Sequence, residues 1–216
     1  VSGPAGRGVA GGPVDGWRWG WRETWGGDWR AALSITLAFT ALLWVIEVVD
    51  QVTPLYLDDD GVVPRTASGL DGILWAPLLH VGFGHLLGNT VLLVPLLLLT
   101  LVGGLARGLA ATGIIWLVAG LGTWVIASPG TVHLGASSLV FGWLTYLIVR
   151  GLYARNVSQL MLGVVLAVLL GGTLLGVLPG QPGISWQGHL FGALGGVIAA
   201  AVLRRRRAEA LPAPTW

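Results

Sequence analysis

A serine, Ser137, sits behind Gly135-Ala136 in one of the most apolar parts of the chain, and the residue types that could act with it are few. They are His189 and the pair His85 and Asn89. Each also has an ordinary structural explanation to be weighed. A lone serine in a membrane helix commonly hydrogen-bonds its own backbone, so Ser137 by itself says little. An ionisable residue inside a membrane is costly and usually functional, so the histidines say more. His85 and Asn89 stand four apart and share a helix face. His80 and His85 stand five apart, about 140° around a helix, so they share a face poorly as metal ligands. His133 reads as a loop residue. There is no cysteine, which removes thiol nucleophiles, disulfides and thiolate metal sites. Glu47 falls near the end of its span and no other carboxylate approaches Ser137, so a nucleophile there works with a histidine alone.

These residues have to be positioned by membrane-spanning elements. Of 216 residues, 54% are hydrophobic and 10% charged, against about 25% charged in a soluble domain. With a mean hydropathy of +0.78, the chain reads as an all-α polytopic membrane protein. Three uncharged stretches, 72–106, 108–149 and 156–203, are broken at Gly103-Gly104, Ser128-Pro129-Gly130 and Pro179-Gly180-Gln181-Pro182-Gly183. With 31–49 in front, the predicted spans are 31–49, 83–102, 109–127, 137–149, 157–178 and 186–203, with 72–82 interfacial and a kink expected at Pro95. Residues 1–30 form a separate segment: 1–16 read as disordered, and Trp17, Trp21, Trp25 and Trp29 give an aromatic stripe suited to a membrane interface. That segment has no apolar core of the kind a signal peptide needs. The Arg-rich tail 204–216 closes the chain. Asp58-Asp59-Asp60, in the loop 50–71, reads as a solvated run rather than a calcium site.

All 12 basic residues are arginines. The pI near 9.7 raises the question of nucleic acid, but the arginines mark span ends and form no groove-binding patch. Six spans place every arginine except Arg65 on the side of both termini, which makes that side cytoplasmic. Helical rise then puts Ser137, His189 and Asn89 each roughly 20 Å from that face, with His85 about a turn beyond. Three separate spans thus bring polar residues to one level. Gly188, Gly192 and Gly196 on the last span, and Ser138 and Gly142 on the fourth, recur every four residues, a spacing that lets backbones approach. The loop 128–136 is expected to dip below the membrane surface, where irregular backbone is tolerated only in protein or beside a wet cavity. No internal repeat suggests a two-half transporter.

Taken together, His80-x4-His85-x3-Asn89, Gly135-Ala136-Ser137-Ser138 and Gly188-His189-Leu190-Phe191-Gly192 resemble the rhomboid family of intramembrane serine proteases over about residues 72–203. The resemblance implies a six-transmembrane-helix bundle with residues 31–203 as the protease domain. It implies Ser137 as nucleophile, His189 as general base, and His85, Asn89 and the Ser137 backbone N–H as the oxyanion hole. It further implies that His80 orders the outer loop and that Phe141 stacks on the catalytic histidine. The family usually has Gly-x-Ser-Gly, and this chain departs from it with Ser138, a second hydroxyl beside the first.

The expected function is intramembrane hydrolysis of peptide bonds in or near the transmembrane segments of other membrane proteins. The alternative is a catalytically inactive relative that binds membrane proteins. No cofactor and no metal are expected. The expected partners are the lipid bilayer and transmembrane substrates, with no nucleic acid, and the expected location is a bacterial cytoplasmic membrane with both termini cytoplasmic.

Overall fold

In a computed structural model, residues 28–204 are described. The 1–16 segment expected to be disordered, Trp17, Trp21, Trp25 and the arginines beyond Arg204 lie outside the described residues. Among the described residues seven α-helices follow in order: α1 Trp29–Val52, α2 Ser68–Trp75, α3 Gly82–Val102, α4 Leu105–Ile126, α5 Ser137–Ala154, α6 Val157–Leu170 and α7 Trp186–Val202. Among the described residues there is no β-strand, only one backbone bridge between Val62 and His133. Among the described residues five segments are long and apolar enough to cross a membrane: α1, α3, α4, α5, and α6 together with its 3-10 continuation to Val177. The 17-residue α7 is a shorter apolar helix, at the low end of the roughly 17–25 residues that suffice. The chain is an integral membrane protein of all-helical architecture.

The helix boundaries follow local chemistry. Asp28 caps α1 by accepting the N–H groups of Arg30 and Ala31. Gly103 and Gly104, the latter at φ +131°, let α3 turn back into α4. The span predicted as 157–178 changes character at Gly171-Gly172: the α-helix stops at Leu170 and a 3-10 segment continues to Val177. Pro95 lies inside an unbroken α3. The span predicted as 137–149 runs on to Ala154, so Arg150 lies within the helix rather than at its end. Its guanidinium is buried beside Gly103 and sits 5.8 Å from the Tyr146 ring centre. The segment expected to be interfacial, 72–82, takes in the last turn of α2 and a 3-10 turn, Ala76–Leu78. Asp58–Asp60 lie in a 3-10 turn, Leu57–Asp60.

The core centres on α5, whose Leu139, Trp143, Leu144 and Leu147 are essentially inaccessible. Trp143 donates from its indole nitrogen to Thr112 on α4 at 2.9 Å. On α5 and α7 the small residues meet as their spacing predicts. A Cβ on Gly192 would fall on the Ser138 carbonyl, and one on Gly196 on the Gly142 carbonyl. Thr145 of α5 donates to the Ala193 carbonyl of α7 at 2.8 Å. Outside this pair, α1 docks on α3 through the stack of Trp44 on Phe83 and the Trp44 to Thr90 hydrogen bond.

Gly192→Val must therefore push α5 and α7 apart. Overpacking of this kind costs about 1–3 kcal/mol, and the thermal unfolding temperature in detergent should fall. Gly113→Ala, on an exposed part of α4 with nothing within 4 Å of the added carbon, should be neutral or stabilise by about 0.5–1 kcal/mol. Equal effects of the two substitutions would contradict this account of the α5–α7 contact.

Candidate active site

Ser137 opens α5 and His189 lies in the first turn of α7. The close helix contact brings Ser137 Oγ to 2.9 Å from His189 Nε2. The other ring nitrogen, Nδ1, lies 3.0 Å from the Gly176 carbonyl. A carbonyl only accepts, so Nδ1 carries the proton; in the neutral ring Nε2 is then the acceptor for the serine hydroxyl. Phe141 lies flat against the imidazole, with ring centres 4.0 Å apart and planes 12° apart. Gly176 has to be small: a Cβ there would sit 2.8 Å from the Phe141 ring and 3.1 Å from Nδ1. Its carbonyl is free for a local reason. The 3-10 segment bonds carbonyl i to N–H i+3, as Leu175 does with Leu178. The next donor in that series is position 179, a proline, which has no N–H.

The pair predicted on one face of α3 lies beside the serine loop. A Cβ on Gly135 would come 2.8 Å from His85 Cε1 and 3.0 Å from its Nε2, with Asn89 Nδ2 at 3.8 Å. Gly135, at φ +114°, is therefore required both by its backbone and by its neighbours. The His85 Nδ1 accepts the Val81 N–H at 3.3 Å, so in the neutral ring Nε2 is the donor. Asn89 is buried, and its Nδ2 has no hydrogen-bond partner among the described residues. Two N–H donors are thus held on one side of the loop that leads into Ser137.

His80 lies ahead of α3, in the 72–82 segment that the sequence places outside the span. It stands on the extended backbone between the 3-10 turn and Gly82, which brings its ring edge-on to His85 at 5.2 Å. Its Nε2 accepts the Ala136 N–H at 3.2 Å, and Gly135 N–H donates to the Ala76 carbonyl at 2.8 Å. The residues entering Ser137 are therefore pinned from both sides. Burial, and secondarily the charge of His85, push His80 down to about 4, which keeps the ring neutral and accepting. His133 is a loop residue, as expected, but it bonds Ser185, a contact no sequence spacing signals.

Between the serine loop and α4 lies a small cavity of about 30 Å³ lined by Ser137, Ser138, Thr123, His133 and Ser185, room for one or two waters. An open cleft of about 770 Å³, lined by Asp58, Val81, His85, Leu134 and Ile184 among others, lies over His85. Among the described residues, no group of three or more His, Asp or Glu side chains has metal-binding geometry.

Comparison with known proteins agrees with this architecture. The Rhomboid domain family matches residues 69–206. A protein named only as uncharacterized in Mycobacterium bovis is 46% identical over 185 residues, covering 81% of this chain and 77% of its own. An equally similar protein occurs in Mycobacterium tuberculosis. One from Mycobacterium leprae is 42% identical over 175 residues, covering 77% of this chain and 69% of its own. No solved structure matches the chain. The chain belongs to the rhomboid family, which comprises intramembrane proteases and inactive relatives and acts on membrane proteins within the bilayer.

The His80 geometry carries a pH prediction. Unfolded, this histidine takes a proton near its ordinary value of 6.5; folded, it does so only near 4. The unfolded state binds more protons between those values, so this contribution to stability is full above 6.5 and is lost as pH falls through about 4. His80→Gln offers Ala136 an amide oxygen without a titrating ring. Its unfolding temperature should fall less than wild type between pH 7 and about pH 4.5; a parallel loss in both proteins would remove His80 from the acid response.

Proposed function

We propose that the chain is an active serine endopeptidase that cleaves transmembrane proteins. The observation that carries this reading is the Ser137–His189 contact at 2.9 Å, with the histidine tautomer set for base catalysis by Gly176. In the first half-reaction His189 Nε2 takes the Ser137 hydroxyl proton as Oγ attacks the scissile carbonyl carbon. The carbonyl oxygen becomes an oxyanion, met by His85 Nε2–H, Asn89 Nδ2–H and the Ser137 backbone N–H. The tetrahedral species collapses as His189 returns the proton to the leaving amine nitrogen, leaving an acyl ester on Ser137. Water, for which the small cavity beside Ser137 has room, then attacks the ester with His189 again as base.

The protease domain spans 31–203, with 1–30 and 204–216 as flanking segments. The chain lies in a bacterial cytoplasmic membrane with both termini in the cytoplasm, so the cleft over His85 opens outward. No step requires a metal or cofactor. The reading is supported by the dyad geometry, by the unpartnered Asn89 donor and by the family to which the chain belongs.

Purified protein in liposomes with a single-pass reporter substrate tests the chemistry. Ser137→Ala should abolish cleavage and fluorophosphonate labelling. Ser138→Gly should keep both, since it restores the family's commoner residue and removes no reacting atom. His85→Ala and Asn89→Ala should lower kcat by about 10²–10³-fold, with a smaller change in KM. A fluorophosphonate adduct on Ser138, or a folded wild-type protein that neither cleaves nor labels, would overturn the proposal; the second result would favour a non-catalytic binder.

Orientation is open to a separate test because the chain has no cysteine. Cysteines placed singly at Arg65 and Arg204 should label from opposite sides of intact cells, with Arg65 accessible to an impermeant thiol reagent. External labelling at position 204 would invert the topology.

A further inference from the structure

A second polar chain runs beside the dyad, and its donors and acceptors are settled by geometry. Thr131 Oγ1 lies 2.6 Å from the Ser128 carbonyl and 2.8 Å from His133 Nε2. The carbonyl can only accept, so the threonine proton goes to Ser128, and Oγ1 accepts from His133 Nε2–H. Burial pushes His133 down and favours its neutral ring, which leaves Nδ1 as an acceptor. Ser185 Oγ, 2.8 Å from Nδ1, donates to it while accepting the Gly188 N–H at 3.2 Å as the cap of α7. His133 is itself held by its backbone pairing with Val62 at 2.8 and 3.0 Å.

The position of this link matters. His133 stands four residues before Ser137, and Ser185 four before His189. Both pairs are separated by 52 residues, so the link repeats the dyad contact one step earlier on each segment. Side-chain hydrogen bonds that join the two segments directly at this end are few. The serine loop contains Gly130 and Gly135 at positive φ, and the approach to α7 contains Gly180 and Gly183 at positive φ. Near the starts of α5 and α7, the only other side-chain hydrogen bond between the two among the described residues is Ser137 to His189. That bond is consumed when Ser137 becomes an ester.

We propose that His133 and Ser185 are positioning residues, a hydrogen-bonded clasp that keeps the Ser137 loop in register with the first turn of α7 while the acyl ester waits for water. The proposal rests on the reading of Ser137 and His189 as the catalytic dyad. The clasp touches neither the scissile bond nor the ester, so it acts on turnover more than on substrate affinity.

The amides of asparagine and glutamine separate the two ring nitrogens. Asparagine at position 133 places an acceptor oxygen where Nδ1 lies, and glutamine reaches where Nε2 lies. In liposomes with the reporter substrate, His133→Asn should keep kcat within about threefold of wild type. His133→Gln should lose about 10–100-fold in kcat with little change in KM, as expected when reacting groups are misplaced by about 1 Å. Ser185→Thr should retain kcat, and Ser185→Ala should lose it to the same extent as His133→Gln. The double variant His133→Gln/Ser185→Ala should lose no more than either single one. Because Ser185→Ala also removes a helix cap, unfolding temperatures are measured for every variant, and the Asn/Gln comparison stands independently of that cap. Equal kcat for His133→Asn and His133→Gln, additive losses in the double variant, or a loss confined to KM would overturn the clasp. If the His133 variants behave as wild type while wild type still cleaves and labels at Ser137, the clasp alone fails. A wild type that does neither overturns the dyad and the clasp with it.

Discussion

Ser137 begins α5 and His189 sits in the first turn of α7, so the distance between them depends on how closely those helices approach. In a bilayer no hydrophobic force drives one apolar helix onto another; packing and interhelical hydrogen bonds do. The contact is close because Gly192 and Gly196 present bare backbone to Ser138 and Gly142. The Thr145 to Ala193 hydrogen bond adds a directed contact deeper in the pair. One side-chain carbon at Gly192 would reach the backbone of Ser138, the residue next to Ser137. The dyad is therefore as much a property of four small residues as of the serine and the histidine.

A second constraint follows from placing irregular backbone inside a membrane protein, where each peptide group needs a partner. In the loop 128–136 the buried end finds partners in other segments. Ala136 N–H goes to His80, Gly135 N–H to the Ala76 carbonyl, and His133 pairs with Val62 through both backbone groups. Satisfying these groups also fixes the approach to Ser137, so the demand that makes the loop stable also orders the residues that lead into α5. The α2 segment supplies the platform. A Cβ on Gly72 would fall on the Gly61 carbonyl, and Trp116 donates to the Ile73 carbonyl at 2.7 Å.

The helices are legible in the sequence because hydropathy and Gly/Pro breaks report directly on spans; every predicted span meets a helix, and most ends fall within a few residues. The start of α5 at Ser137 and of α7 at Trp186 coincide with the expected positions. Phe141 lies against His189 as the family resemblance implies. What is not legible has a common cause. An arginine ordinarily marks a span end, whereas Arg150 is covered by the adjacent α3–α4 turn. The edge-on contact of His80 with His85 is hidden too, because Leu79 is extended and the helix starts only at Gly82, so no helical spacing relates the two rings. The His133–Ser185 bond joins loop residues far apart in sequence, and loops have no periodicity from which to infer contact. The Gly176 carbonyl is equally hidden, because backbone acceptors carry no residue-type signal.

That carbonyl nevertheless changes what the dyad can be. A serine–histidine–aspartate triad uses its carboxylate to hold the histidine tautomer and to stabilise the imidazolium formed in the transition state. The Gly176 carbonyl does the first, since it can accept only from Nδ1–H, and it brings no net charge for the second. The flat stack of Phe141 on the imidazole, 4.0 Å between ring centres, offers part of what is missing: an aromatic face attracts a cation lying over it. A membrane-embedded site gains from this division of labour. A permanently charged carboxylate would need its own buried partners, whereas a carbonyl and a phenyl ring carry no net charge. Pro179 completes the arrangement by withholding the one N–H that would continue the 3-10 series and occupy Gly176. The residue with no donor to give is thus what leaves the acceptor open for the histidine.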